Sequence, residues 1–247
     1  MAQLFLEDGK IVLTVVPGER VNRSIFVSNT TDKEVSVRVY WQDFMYQPPY
    51  DGAKAFVPEG TTKLTANKMI TFSPLVFKLP PFGRQKIDYA LDVPGSAKGG
   101  YYGVLFFEKG PDPKMGKTAL SIVTRVGSLF FIETNNKSKK SEVGGVQVNA
   151  EKITGTFSNQ GDVILIPRMT YNVLDKEGLV ADRGELKKIY VPPGTSANWE
   201  LNLPKKITAG QYSLVLNTDL DDGDVIVNEI SIVIDDAGHL KIENMKS

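Results

Sequence analysis

In its pattern of apolar and polar positions the chain is a series of short, strand-length runs cut by turn-forming residues. Val35, Val37 and Val39 alternate with Ser36, Arg38 and Tyr40, so one face of that strand is expected in a core and the other in water. Lys10–Val16, closed by Pro17-Gly18, is the expected first strand. Val21–Ser28, stopped at Asn29-Thr30-Thr31-Asp32, is the expected second. Four segments, Pro74–Gly83, Arg84–Pro94, Gly100–Glu108 and Ala119–Ile132, are dominated by β-branched and aromatic residues and bounded by Pro or Gly, which predicts the central strands of the fold. No 11-residue window carries a clear 3.6-residue period, so few helices are expected.

From Gln42 to Lys68 the period is lost, and Pro48-Pro49, Asp51-Gly52 and Glu59-Gly60 mark a long connection. It carries Phe44, Met45, Tyr46, Tyr50 and Phe56, just after Trp41. That is too much apolar bulk for a solvated linker, so it either folds back to cap a sandwich or presents an aromatic surface to a ligand or partner. Thr134–Glu142 is polar throughout and has the composition of an interdomain linker; its Lys137, Lys139 and Lys140 form either a solvated stretch or a basic patch. Beyond it the punctuation of the first half returns in the same order. Ser158-Asn159 echoes Ser28-Asn29, Pro192-Pro193-Gly194 echoes Pro80-Pro81-Phe82-Gly83, and Ala209–Leu216 echoes Gly99–Phe106. Asn29 and Pro81 are 52 residues apart and Asn159 and Pro193 are 34 apart, so the aromatic loop is an elaboration of the first copy. Two antiparallel β-sandwiches are expected, over residues 1–134 and 143–247.

A chain of 247 residues exceeds the usual single-domain size of about 100 to 150, in keeping with two cores. Lys and Arg total 29 and so do Asp and Glu, which leaves no net attraction for nucleic acid or an anionic membrane. Cysteine is absent, which excludes disulfides, thiolate metal sites and a cysteine nucleophile. No apolar run approaches the ~20 residues of a membrane-spanning helix.

Little else carries chemistry. The one histidine, His239, lies outside any pattern that would make a Ser-His-Asp triad. Gly-rich phosphate loops and nucleophile elbows are missing. Asp219–Asp224 offers oxygen ligands of the kind calcium takes, but Ile230 stands where a calcium loop would end in glutamate, and Asp-Asp-Gly-Asp also makes a hairpin turn. No carboxylate pair is singled out for glycoside hydrolysis. The chain is expected to be no enzyme and to need neither metal nor cofactor.

Leu79-Pro-Pro-Phe-Gly-Arg-Gln-Lys-Ile87, the strand Gly100–Phe107, the long apolar strand after it and the turn at Ser28-Asn29 together resemble the first domain of the periplasmic pilus-assembly (PapD-like) chaperones, over about half of the chain. That resemblance implies two immunoglobulin-like β-sandwich domains in tandem, export to the periplasm or cell surface, and Met1 standing in place of a removed export signal. The start, Met1–Asp8, has neither the basic nor the apolar region of such a signal. It further implies that the last strand of domain one, Thr118–Phe131, is donated to an incomplete client through Leu120, Ile122, Thr124 and Val126, with Arg125 beside them. In that family an arginine and a lysine anchor the client's terminal carboxylate. Here Leu13 and Gly127-Ser128 stand in those places, and Arg125 is two or three positions away. Two functions follow as expectations: a periplasmic chaperone-like protein that binds an exported β-rich client by strand addition, or a non-enzymatic structural or adhesive module of a surface assembly. Either way the partner is a protein, a client or an assembly subunit.

Overall fold

The computed structural model describes residues 4–110, 124–149, 152–204, 207–221 and 225–246. Its backbone forms two compact units, the first Met1–Met45 with Ala55–Lys137 and the second Tyr46–Lys54 with Ser138–Ser247. Among the described residues there are strands and turns and no helix. Both units are immunoglobulin-like sandwiches of two sheets.

Unit 1 is built from β1 (Leu4–Leu6), β2 (Lys10–Val15), β3 (Arg20–Asn29), β4 (Val35–Tyr46), β5 (Lys54–Val57), β6 (Ile70–Ser73), β7 (Val76–Leu79), β8 (Arg84–Asp92), β9 (Gly100–Lys109) and β10 (Arg125–Thr134), of which the end residues Tyr46 and Lys54 belong to unit 2. One sheet has the order β1-β3-β8-β6; the other runs β2-β10-β9-β4-β5, with β7 also on β4. Within unit 1 the chain begins one strand earlier than the pattern suggested. β1 pairs antiparallel with β3, the chain turns through Asp8-Gly9, and β2 joins the other sheet parallel to β10. The first strand thereby ties the two sheets together.

The core lies between the sheets and includes Ile25, Val27, Val37, Trp41, Ile87, Leu91, Leu105, Phe107, Phe130 and Ile132. Burying each of these large side chains contributes on the order of 1.5–3 kcal/mol, so the alternation along β3, β4 and β8 is the main source of the register. Gly103 of β9 is forced by this packing. A Cβ there would fall inside the indole of Trp41, which is itself buried and set edge-on to Phe130.

Only the first half of β4 has the wet outer face that the alternation predicted. Phe44 on that face is buried, with its ring 5.6 Å from Phe131 and 6.2 Å from Tyr102. The period fails at Gln42 because both faces are covered, and β4 runs on to Tyr46. Further along the connection, Thr62 and Thr65 are held on unit 1 by the wholly buried carboxylate of Asp43. It accepts from the Thr62 amide at 2.9 Å and hydroxyl at 3.2 Å, and from the Thr65 hydroxyl at 2.7 Å. Thr65 then bridges Tyr102, and Tyr102 N–H donates to Leu64 O at 2.7 Å. Residues 62–65 thus pack on unit 1, while Tyr46–Lys54 belongs to unit 2 and Met45 and Phe56 stay exposed.

Unit 2 comprises β11 (Ser141–Asn149), β12 (Lys152–Asn159), β13 (Arg168–Leu174), β14 (Val180–Glu185), β15 (Ser196–Asn202), β16 (Gly210–Asp219), β17 (Val225–Ile234) and β18 (Leu240–Lys246). They form sheets of order β11-β12-β15 and β14-β13-β16-β17-β18. Its core holds Ile153, Phe157, Met169, Val173, Trp199, Leu214, Leu216, Ile230 and Ile232. Tyr46 stacks on Tyr190 at 4.7 Å, with the Lys54 ammonium 4.8 Å from the Tyr46 ring, and the Tyr50 carbonyl accepts from Tyr190 N–H at 2.8 Å. Burial pushes the Tyr46 hydroxyl well above the ordinary tyrosine range, so this ring stays neutral.

The repeated Ser-Asn and Pro-Pro signals have one physical cause in both units. The amide of buried Asn29 donates to Lys33 O at 2.7 Å and Pro80 O at 2.9 Å, while its oxygen accepts from Thr31 N–H at 3.0 Å. Asn159 does the same with Val163 O at 2.8 Å, Val191 O at 2.7 Å and Gly161 N–H at 2.9 Å. Each asparagine clamps the turn at the end of its own strand to the diproline turn beside it, adding a side-chain donor to carbonyls of both turns.

The stretch read as a solvated linker is tied down. Thr134 is buried against Gly99, and Lys137 pairs with Glu133 at 3.2 Å. Ser138 N–H donates to Asp162 at 2.7 Å, and the Lys139 ammonium donates to the carbonyls of Leu220 at 2.6 Å and Asp221 at 3.0 Å. Polar composition here marks hydrogen bonding to turns; Lys137 and Lys139 are structural cations, and Lys140 is exposed.

Candidate functional site

The strand singled out by sequence is β10, and its described part begins at Thr124. Leu120 and Ile122 lie outside the described residues. On one side β10 pairs antiparallel with β9 along its whole described length, from Arg125 against Glu108 to Glu133 against Gly100. On the other side it pairs with β2, and there the register starts only at Leu129, opposite Lys10.

The parity of the main chain follows from two bonds. Lys109 N–H donates to Thr124 O at 3.0 Å, so the even residues of β10 bond to β9. Leu129 N–H donates to Gly9 O at 3.0 Å, so the odd residues bond to the β2 side. The N–H and C=O groups of Arg125 and Gly127 therefore point toward an edge that, among the described residues, has no strand on it. The bend at Asp8-Gly9 closes this edge at its lower end, where the Ser128 hydroxyl donates to Asp8 O at 2.6 Å.

The two faces of the edge differ. Val126 points inward and packs against the unit 1 core, in line with buried Phe130 and Ile132. Thr124 shares its parity and is half-buried. Arg125 points outward and is exposed. Its guanidinium lies 4.1 Å from the Phe106 ring and 5.8 Å from Phe56, and its Nη1 donates to the Tyr40 hydroxyl at 3.2 Å and Gln42 Oε1 at 3.3 Å. The Tyr40 hydroxyl donates in turn to Glu108 at 2.7 Å. Burial, the largest influence, raises the Tyr40 hydroxyl above its ordinary pKa; the Arg125 bond opposes that shift and the Glu108 carboxylate adds to it. Arg38 adds a second cation, 5.4 Å from the Tyr40 ring. Gly127 leaves room for this arrangement, since a Cβ there would sit 2.8 Å from Val104 and 2.9 Å from Phe106.

Strand reading alone placed Thr124, Arg125 and Val126 here and missed Tyr40, Gln42, Phe56 and Phe106, which arrive from β4, β5 and β9. The near-unbroken apolar run of β9 was the available signal, because a strand with both faces covered loses its alternation. The positions matched to the carboxylate anchors hold a different chemistry. Leu13 packs against the core, Ser128 is buried, and Gly127 is hemmed in by Val104 and Phe106.

Other candidates carry less. His239 is exposed in the β17–β18 hairpin, where its backbone N–H and ring both meet Asp235. Those bonds, the backbone one first, hold that carboxyl below its usual pKa. Of Asp219–Asp224, the last three residues lie outside the described residues; Asp219 accepts from Asp221 N–H at 2.9 Å in a local turn. Among the described residues no three His, Cys, Asp or Glu side chains come together as a metal site, and no helix is long and apolar enough to cross a membrane.

No protein-family model matches this chain, and no curated protein matches it by sequence. Solved structures do match it in fold. A chain of a chaperone–tip adhesin complex involved in CFA/I fimbriae biogenesis is 12% identical with a TM-score of 0.57, covering 92% of this chain and 97% of its own. The class 5 fimbriae chaperone CfaA is 13% identical with a TM-score of 0.56, over 98% and 100%. The YadV chaperone is 10% identical with a TM-score of 0.50, over 93% and 99%. Through both units, then, this chain has the fold of the PapD-like fimbrial chaperones: two immunoglobulin-like β-sandwiches in tandem.

Proposed function

We propose that this protein is a periplasmic chaperone-like protein that binds an exported, β-rich client by β-strand addition at the open edge of β10. The observation that carries the reading is the register of that strand. It is hydrogen-bonded to β9 throughout, yet its pairing with β2 starts at Leu129 and, among the described residues, leaves the outward main-chain groups of Arg125 and Gly127 to an incoming chain. A strand added there would extend the β9–β10 sheet, stop at the Asp8-Gly9 bend, and lie with one face toward Val126 and the other toward Arg125. Thr124, Arg125 and Val126 are the described members of the binding strand, and Leu120 and Ile122 would continue its row. The role is one of binding and needs no cofactor. The fold shared with fimbrial chaperones supports a client that is a subunit of a surface assembly, and with it a location on the export route.

The test is cross-linking in the native host. With a photoreactive residue in place of Thr124, a client should be captured that is itself exported, while the same residue in place of Asn198 on exposed β15 captures none. Capture from position 198 and not from 124 would move the binding surface to unit 2 and favour the structural-module reading.

A further inference from the structure

The open edge is chemically lopsided. On the outer face of the sheet β4, β9 and β10 place two guanidiniums, Arg38 and Arg125, beside the Glu108 carboxylate, which already accepts the Tyr40 hydroxyl; Glu133, at the far end of β10, is paired with Lys137. Arg125 is held from beneath by Phe106, and both of its hydrogen bonds to described residues leave from Nη1. Its Nε and Nη2 donors remain for a carboxylate, in the fork geometry that guanidinium offers. Further along the same face, Lys10 lies 4.5 Å from the Phe131 ring, so a cation flanks each end of the open stretch.

We infer that the strand taken up at this edge carries an acidic residue on its outer face, directly opposite Arg125. The inference rests on strand addition at β10 and adds the chemistry of one position of the partner. Arg125 has its main chain turned to the open side, so the residue paired with it across the new ladder projects from the same face at cross-strand contact distance. A glutamate or aspartate there meets a fixed, stacked guanidinium whose ordering is already complete. A lysine or arginine at that position meets the Arg125 guanidinium and is repelled. Main-chain pairing alone is blind to sequence, and Arg125 is the group that makes this edge selective.

The probe is a pair of nine-residue strand peptides, Thr-Val-Thr-Val-Glu-Val-Thr-Val-Thr and the same peptide with lysine for the central glutamate. They are titrated into the full chain while the amide resonances of Arg125 and Gly127 are followed. The glutamate peptide is expected to bind about five- to tenfold more tightly at low salt, the difference shrinking as salt rises. Arg125→Glu should invert the preference. If both peptides shift these two amides with equal affinity, or the preference survives Arg125→Glu, the acidic partner residue is wrong while strand addition stands. If neither peptide perturbs Arg125 or Gly127, the edge does not take a strand, and the proposed function falls with it.

Discussion

Gly103→Val is expected to destabilise unit 1 by about 3 kcal/mol or more, enough to unfold a sandwich of ordinary stability. The Cβ alone would occupy the indole of Trp41, and that ring cannot swing away, since it is buried and packed against Phe130 with the β3–β8 sheet beyond. The chain has two tryptophans, one in each core, so denaturant melts followed by fluorescence of a variant keeping only Trp41 read unit 1. An unchanged midpoint would mean that Trp41 is not packed on Gly103. Gly155 stands in the same relation to Trp199 in unit 2, and valine there should act on that unit.

Asn29→Ala should cost about 2–4 kcal/mol. The change removes a buried amide that donates to Lys33 O and Pro80 O and accepts from both the Thr31 N–H and its hydroxyl; Pro80 O would keep the Gly83 N–H and Lys33 O the Thr31 hydroxyl at 3.3 Å, while the Thr31 N–H would lose its acceptor. Each unsatisfied buried group costs on the order of 1–3 kcal/mol. Asn29→Asp is the sharper variant, because it keeps the size and places an oxygen against two carbonyl oxygens. It should be at least as damaging as alanine at neutral pH. Thermal melts of both variants decide this, and an aspartate variant as stable as the parent would show that the clamp contributes nothing.

The same residues explain what could be read from the sequence. Asn29, Asn159 and the diprolines were legible because each has a single structural use, a turn whose carbonyls need a side-chain donor or whose φ must be fixed. β9 was legible from its apolar run. β1 and β6, three and four residues long, have too few positions to show a period, and they are held by β3 and β8, far away in sequence. The end of β4 was misplaced at Gln42 because covering on both faces erases the alternation that defines a strand. At the site, β10 was recognisable as a strand, but what surrounds Arg125 was not. Tyr40 and Gln42 stand 85 and 83 residues away in the chain, and only the β4-β9-β10 ladder brings them together.

The open edge of β10 is tested most directly by amide hydrogen exchange, residue by residue, on the protein alone and with a client co-purified from its own host. In the free protein Arg125 and Gly127 should exchange quickly, while Val126 and Ser128, bonded to β9, are protected. With the client bound, Arg125 and Gly127 should slow by at least about a hundredfold, as strand amides do when a ladder forms. A saturated client complex in which these two amides still exchange as in the free chain would contradict strand addition at this edge.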